Sequence, residues 1–222
     1  MLSKLSLTHE IIQPQAKTAA PPLVIWLHGL GSSEQEIHGL PGFVPEHAIF
    51  IGARGIHRHG NGYKWYTVQF TASGPVIDFA QAEASRAVIA GFIEEAISAY
   101  TVDPTQVYLA GFSQGAIMSL NLLLTGTPHI AGIVSMSGRV LPEIKPLVAI
   151  TAEQSATRGV LMTHGTQDTL RSIGAARTDY TFLAQLGLRV AMHEYNAAHE
   201  LTQPMITDTK QWLQQQMAGN GS

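Results

Sequence analysis

The chain has 222 residues, 45% of them apolar, no cysteine and a formal net charge of −3. Its Lys and Arg residues are scattered singly, which excludes a basic stripe for a nucleic-acid backbone and a polybasic patch for anionic lipid. The lack of cysteine excludes a disulfide framework, a thiolate nucleophile and a soft zinc site, so a covalent nucleophile must be some other residue.

Length and apolar content suit one domain, expected over residues 1–217, with AGNGS (218–222) read as a frayed tail. The opening stretch MLSKLSLTHEII carries one Lys and no apolar block of signal-peptide length. Nowhere do about 18 apolar residues run uninterrupted, so a soluble, cytoplasmic protein without stable membrane insertion is expected.

In chain order, LSLTHEII suggests an antiparallel edge strand, followed by strands LVIWLHG (23–29) and AIFIGAR (48–54). Residues 55–77, GIHRHGNGYKWYTVQFTASGPVI, fit neither a strand nor a helix cleanly. Glycine-rich, aromatic and long for a connection, they read as a functional loop or flap over the site. Residues 79–100 repeat apolar positions at helical spacing, with Val88 or Ile89, Phe92 or Ile93, Ala96 and Tyr100 on one face and Asp78 as N-cap. Strand QVYLAGF (106–112) precedes a helix at 114–124. Strands IAGIVSMS (130–137) and GVLMTHG (159–165) come next, then a helix near 172–186, strand RVAMHEYN (189–196) and a helix at 202–217 capped by Thr202. Short β-rich runs alternating with helices, the strands apolar almost throughout, predict an α/β fold with a mostly parallel central sheet and helices on both faces.

The run Gly111–Phe112–Ser113–Gln114–Gly115 places a serine between two glycines where a predicted strand becomes a predicted helix. This is the setting of a nucleophile elbow. Small residues are needed two before and two after the serine, because a Cβ at either place would strike the neighbouring strand or helix. Ser113 is thereby held strained and exposed, with a helix N-terminus behind it to favour developing negative charge. A tight turn with a capping serine is the plain alternative.

A serine hydroxyl needs a base to take its proton, and the base needs a carboxylate to fix its tautomer. Asp168 follows a strand, whereas Asp179 and Asp208 fall inside predicted helices, where a solvated face is the better reading, and Asp78 and Asp103 precede the serine at cap or turn positions. Of ten histidines only His129, His164, His193 and His199 follow Ser113. His199 alone lies in a loop between the last strand and the last helix. The backbone N–H of Gln114, and that of Leu30 in His28–Gly29–Leu30–Gly31, are the expected donors to a tetrahedral oxyanion.

With these pieces assembled, the chain resembles the phospholipase/carboxylesterase family of α/β-hydrolases, which includes bacterial carboxylesterases and acyl-protein thioesterases. The resemblance rests on LHGLGSSEQE, GFSQGAIMSL, SMSGRVLP, HGTQD and AAHEL, in that order over nearly the whole chain. It implies Ser113, Asp168 and His199 as catalytic triad, and Leu30 and Gln114 as oxyanion donors. It also implies a segment beside the acyl pocket, with Trp65 and Tyr66 as substrate-binding residues. The family usually has glycine where this chain has Ala116 and Ala198, and Val–Pro after its acid where this chain has TLRSI (169–173).

The expected function is a serine carboxylesterase acting on esters of short to medium acyl chains through an acyl-enzyme. The alternatives are an acyl-thioesterase or lysophospholipase with the same triad, and a noncatalytic member of the fold that binds a hydrophobic ligand. The substrate is a small ester or thioester; no cofactor, metal or nucleic-acid partner is expected, and the resemblance admits a homodimer. The sequence HRH at 57–59 reads as polar loop, and no H-E-x-x-H or phosphate-binding loop occurs.

Overall fold

Seven strands form one sheet because five apolar runs, each too short to bury itself, are buried together between two partly exposed edge strands. The computed structural model describes residues 5–16, 18–71 and 74–219. Strands β1 (His9–Ile12), β2 (Leu23–Leu27), β3 (Ile49–Ala53), β8 (Val107–Phe112), β9 (Ile130–Met136), β10 (Gly159–Gly165) and β11 (Arg189–Tyr195) pair in the order β1-β3-β2-β8-β9-β10-β11. Only β1 runs antiparallel, as its edge position allows; every other pair is parallel. All residues of β2 and β10 are buried, which explains why their sequences show no polar alternation.

Alternate residues of each strand serve different cores. Leu23, Ile25 and Leu27 of β2 join the cluster under α1 (Phe79–Tyr100), α2 (Gln114–Leu124) and α4 (Ile173–Gln185). Val24 and Trp26 join the opposite cluster with Ile37, Leu40, Phe43 and α5 (Gln203–Gly219), whose Met205, Trp212 and Leu213 are buried. Helices thus cover both faces. On α1 the buried face is Ala82, Ser85, Ile89, Phe92, Ile93 and Ala96, and Asp78 caps it by accepting from the Gln81 N–H at 3.0 Å.

Several local expectations change. The hydroxyl of Thr202 makes no hydrogen bond and so does not cap α5. Helix α5 runs through Gly219, two residues into the stretch read as tail, and the rest of that stretch lies outside the described residues. A short helix, α3 (Ala152–Thr157), closed by reciprocal bonds between Thr151 and Gln154, had no apolar periodicity to reveal it. The 55–77 segment is not a loop but two hairpins, β4 (His57–His59) with β5 (Gly62–Lys64) and β6 (Val68–Thr71) with β7 (Gly74–Ile77). Gly60–Asn61, with Gly60 at φ 57°, is the two-residue turn of the first. HRH is therefore strand β4.

Phe92 is fully buried at the contact of α1 with the sheet. Replacing it with alanine leaves a cavity there, and the Phe92→Ala variant is expected to lose about 3–5 kcal/mol of unfolding free energy in urea titrations without a change of fold by circular dichroism.

Candidate active site

The site is assembled where β2, β8, β10 and β11 end, at the carboxyl edge of the sheet. Gly111 and Gly115 allow the turn between β8 and α2. A Cβ on Gly111 would stand 2.5 Å from the carbonyl carbon of Gly115, and one on Gly115 would overlap the Leu27 carbonyl oxygen and lie 2.8 Å from that of His28. Between them Ser113 sits at φ 53° and ψ −112°, a conformation costing a non-glycine residue on the order of 1–3 kcal/mol. Two bonds hold it there: its N–H donates to the Met136 carbonyl at 2.9 Å, and its carbonyl accepts from Ile117 N–H at 3.1 Å.

From Ser113 a hydrogen-bonded line runs inward. The hydroxyl lies 2.9 Å from His199 Nε2, and His199 Nδ1 lies 2.7 Å from Asp168 Oδ2. A carboxylate only accepts, so Nδ1 carries the proton and Nε2 is left to accept from the serine. The other carboxylate oxygen, Oδ1, accepts from the N–H groups of Leu170 and Arg171, each at 2.9 Å. His164 Nε2 donates to the Arg171 carbonyl at 2.9 Å and stands 3.4 Å from Asp168 Oδ2. Burial pushes the Asp168 carboxyl up. The His199 bond, the Arg171 N–H and the nearby imidazoles outweigh burial and hold it below its ordinary value. The Phe112 ring lies against the His199 imidazole, centroids 5.0 Å apart.

The loop after β2 brings Leu30 to the same place. Among the described residues the backbone N–H groups of Leu30 and Gln114 make no hydrogen bond, and both residues line the cleft beside Ser113. Three contacts hold the loop. His28, fully buried, donates from Nδ1 to the Gly29 carbonyl at 2.7 Å and accepts from the Gly55 N–H at Nε2, 2.9 Å away. Burial lowers its pKa and keeps it neutral, as the accepting role of Nε2 requires. Gly31 N–H donates to the Tyr63 carbonyl and Tyr63 N–H to that of Ser32, both at 2.8 Å, so the β4–β5 hairpin pairs with the loop. Glu34, buried on the turn Glu34–Gly39, is gripped by both Nε and Nη2 of Arg54, which holds its carboxyl below the usual range.

The side chain of Gln114 has a task that motif reading missed. Its Oε1 accepts from the Trp65 N–H at 2.7 Å and its Nε2 donates to the Tyr66 carbonyl at 2.9 Å. Trp65 is fully buried and does not line the cleft. Its indole donates to the His28 carbonyl at 3.0 Å and its own carbonyl accepts from Ser85, which makes it a strut beneath the site. Tyr66 does line the cleft. Val68, Phe70 and Pro75 of the second hairpin, with Ile117 and Leu170, form an apolar wall; Ser137, Arg139 and Arg171 stand with His199 as the polar side.

The other candidates lie apart. Asp179 is not solvated: it is 5% exposed, accepts from the Val140 N–H at 2.9 Å and pairs with Arg171. Its partner Val140 comes from a distant segment and Arg171 from just ahead of the helix, so helical periodicity could not reveal its burial. Asp208 and His193 pair with each other near the surface, and His129 is exposed beside Glu94. Among the described residues no group of three or more His, Asp or Glu side chains is placed to hold a metal ion, and no helix is long and apolar enough to cross a membrane.

With this geometry in hand, comparison with known proteins is informative. A profile of the phospholipase/carboxylesterase family matches residues 7–217. A carboxylesterase of Arabidopsis thaliana is 22% identical, covering 91% of this chain and 94% of its own. Acyl-protein thioesterase 1 of Kluyveromyces lactis is 26% identical, covering 67% and 70%. The crystal structure of the Bacillus cereus carboxylesterase superposes with a TM-score of 0.82 at 22% identity over 96% of both chains, which establishes the shared fold.

The Glu34–Arg54 pair carries a pH signature. Glu34 has a lower pKa folded than unfolded, so its contribution is present above the ordinary carboxylate range and is lost as pH falls through the folded value. Glu34→Gln is expected to lower stability at pH 7 by about 1–3 kcal/mol. The deficit relative to wild type should shrink below about pH 4, as measured by urea unfolding at a series of pH values.

Proposed function

The chain belongs to the phospholipase/carboxylesterase family, and from that premise we propose that it is a serine hydrolase of carboxylic esters, with Ser113, His199 and Asp168 as its triad. The observation that carries this reading is the unbroken line from Ser113 Oγ through His199 to Asp168, at 2.9 and 2.7 Å, opening onto a cleft.

In the proposed reaction Ser113 Oγ attacks the ester carbonyl carbon while His199 Nε2 takes the hydroxyl proton. The carbonyl oxygen, now negative, turns toward the Leu30 and Gln114 N–H groups. Collapse of the tetrahedral intermediate breaks the bond to the alcohol oxygen, to which His199 returns the proton. Water then repeats the sequence on the acyl-enzyme, with His199 as base, and releases the acid. Asp168 keeps the proton on Nδ1 and stabilises the imidazolium that forms transiently.

Short to medium acyl chains suit the apolar wall of Tyr66, Val68, Pro75 and Ile117. The same groups would cleave a thioester. That second reading is favoured by the exposed apolar residues Phe70 and Leu170 at the cleft and Val76 on the same hairpin as Phe70, which widen the apolar surface around it. A cytoplasmic setting is part of the proposal.

Initial rates on p-nitrophenyl esters from acetyl to palmitoyl test the proposal. Ser113→Ala should lose roughly 10⁴-fold or more in kcat, with the fold intact. Asp168→Asn, which leaves space and bonds nearly unchanged but releases the tautomer, should lose roughly 10⁴-fold. Equal rates for wild type and Ser113→Ala would overturn the assignment.

A further inference from the structure

Two guanidinium groups line the cleft, and the fold neutralises only one of them. Arg171 is paired with the buried Asp179. Arg139, half-buried on the same side, makes no ion pair and no side-chain hydrogen bond among the described residues. Holding a guanidinium partly out of water without a carboxylate costs free energy that packing alone does not return. The acid nearest in sequence, Glu143, is exposed on the turn Pro142–Leu147 and forms no ion pair with it.

Arg139 is also held in place. The preceding Gly138 is pressed onto the first turn of α2, where a Cβ would lie 2.7 Å from that of Ala116 and 2.5 Å from Ser135 Oγ. The following residue, Val140, has its N–H bonded to Asp179 at 2.9 Å. Asp179 therefore cancels Arg171 and anchors the backbone beside Arg139 without touching the Arg139 charge. Ser137, two residues earlier, also borders the cleft and stands at φ 51°, a conformation strained for a serine, with its hydroxyl buried.

We propose that Arg139 is a specificity-determining residue that receives an anionic group of the substrate. The preferred substrate is then a carboxylic ester that also bears a carboxylate, lodged on the polar side of the cleft while the apolar wall takes the hydrocarbon part. This rests on the esterase reading above. The carboxylate can belong to the acyl chain or to the alcohol, and the two are separable by experiment.

The test compares anionic esters with neutral ones of matched length by pH-stat: monoethyl glutarate against ethyl pentanoate for the acyl side, and 4-acetoxybutyrate against butyl acetate for the alcohol side. The wild type should favour the anionic member of one pair by roughly 10- to 100-fold in kcat/KM. Arg139→Met should erase that preference while neutral-ester turnover persists, and Arg139→Lys should keep part of it. Arg139→Glu should reverse it, so that ethyl 5-aminopentanoate overtakes monoethyl glutarate, a result that a merely structural role would not produce. Should the variants fail to fold, the wild type alone decides: added salt should weaken the anionic preference and leave the neutral rate unchanged.

No preference in either pair, or one that survives in Arg139→Met or is untouched by salt, overturns the proposal. Neutral esters cleaved in a Ser113-dependent way would in that case leave the esterase reading standing. If no ester is cleaved and a fluorophosphonate fails to label Ser113, the esterase reading itself falls and takes this inference with it.

Discussion

The contact between Gly115 and the carbonyl oxygens at the end of β2 governs the rest of the site. With no Cβ at 115, the first turn of α2 comes down on Leu27 and His28, closer than any other residue would permit. The helix N-terminus and the loop carrying Leu30 are thereby brought to the same side of Ser113. The two backbone N–H groups without partners, from Leu30 and Gln114, are left there by the same approach. A helix seated farther out would relax Ser113 and separate these donors.

Gln114 transmits this constraint outward. Its amide holds the backbone of Trp65 and Tyr66, and the Trp65 indole returns to the His28 carbonyl. The elbow, the Leu30 loop and the start of the second hairpin thus form one hydrogen-bonded unit. The Gln114 amide, the Trp65 indole and both ring nitrogens of His28 all have partners in it, which is the condition for such a network to stiffen a site rather than weaken it. The apolar wall formed by β6 and β7 rises from this base.

Charge is handled differently at each place in the site. Asp168 is enclosed by two backbone N–H groups, His199 and His164, so its negative charge is stabilised without solvent. Asp179 neutralises Arg171. Glu34 and Arg54 neutralise each other behind the Leu30 loop. Beside these internal pairings the solitary charge of Arg139 in the cleft stands out as available to a ligand.

Local patterns determined much of this protein. Continuous apolar runs marked the parallel strands, since burial on both faces removes polar alternation. The 3.6-residue spacing marked α1, and Gly-x-Ser-x-Gly between a strand and a helix marked the turn at Ser113. Asp168 and His199 could be singled out because each follows a strand at the same edge of the sheet. The Gly60–Asn61 hairpin was legible too, through its turn residues, but the long glycine-rich stretch obscured it. Other features depended on which distant segments meet. Asp179 lies in a helix whose sequence suggests a solvated face, yet it is buried, satisfied by the Val140 N–H from a distant segment and by Arg171 from just ahead of the helix. Trp65 stands in a segment expected beside the pocket and serves as a strut because Gln114, His28 and Ser85 converge on it. The sequence by itself determined most elements, their chain order and the candidates for the reacting groups, all of which follow from spacing along one chain. Only the tertiary structure decided which charges are cancelled and which remain, because pairing depends on distance in space and on the water that packing excludes.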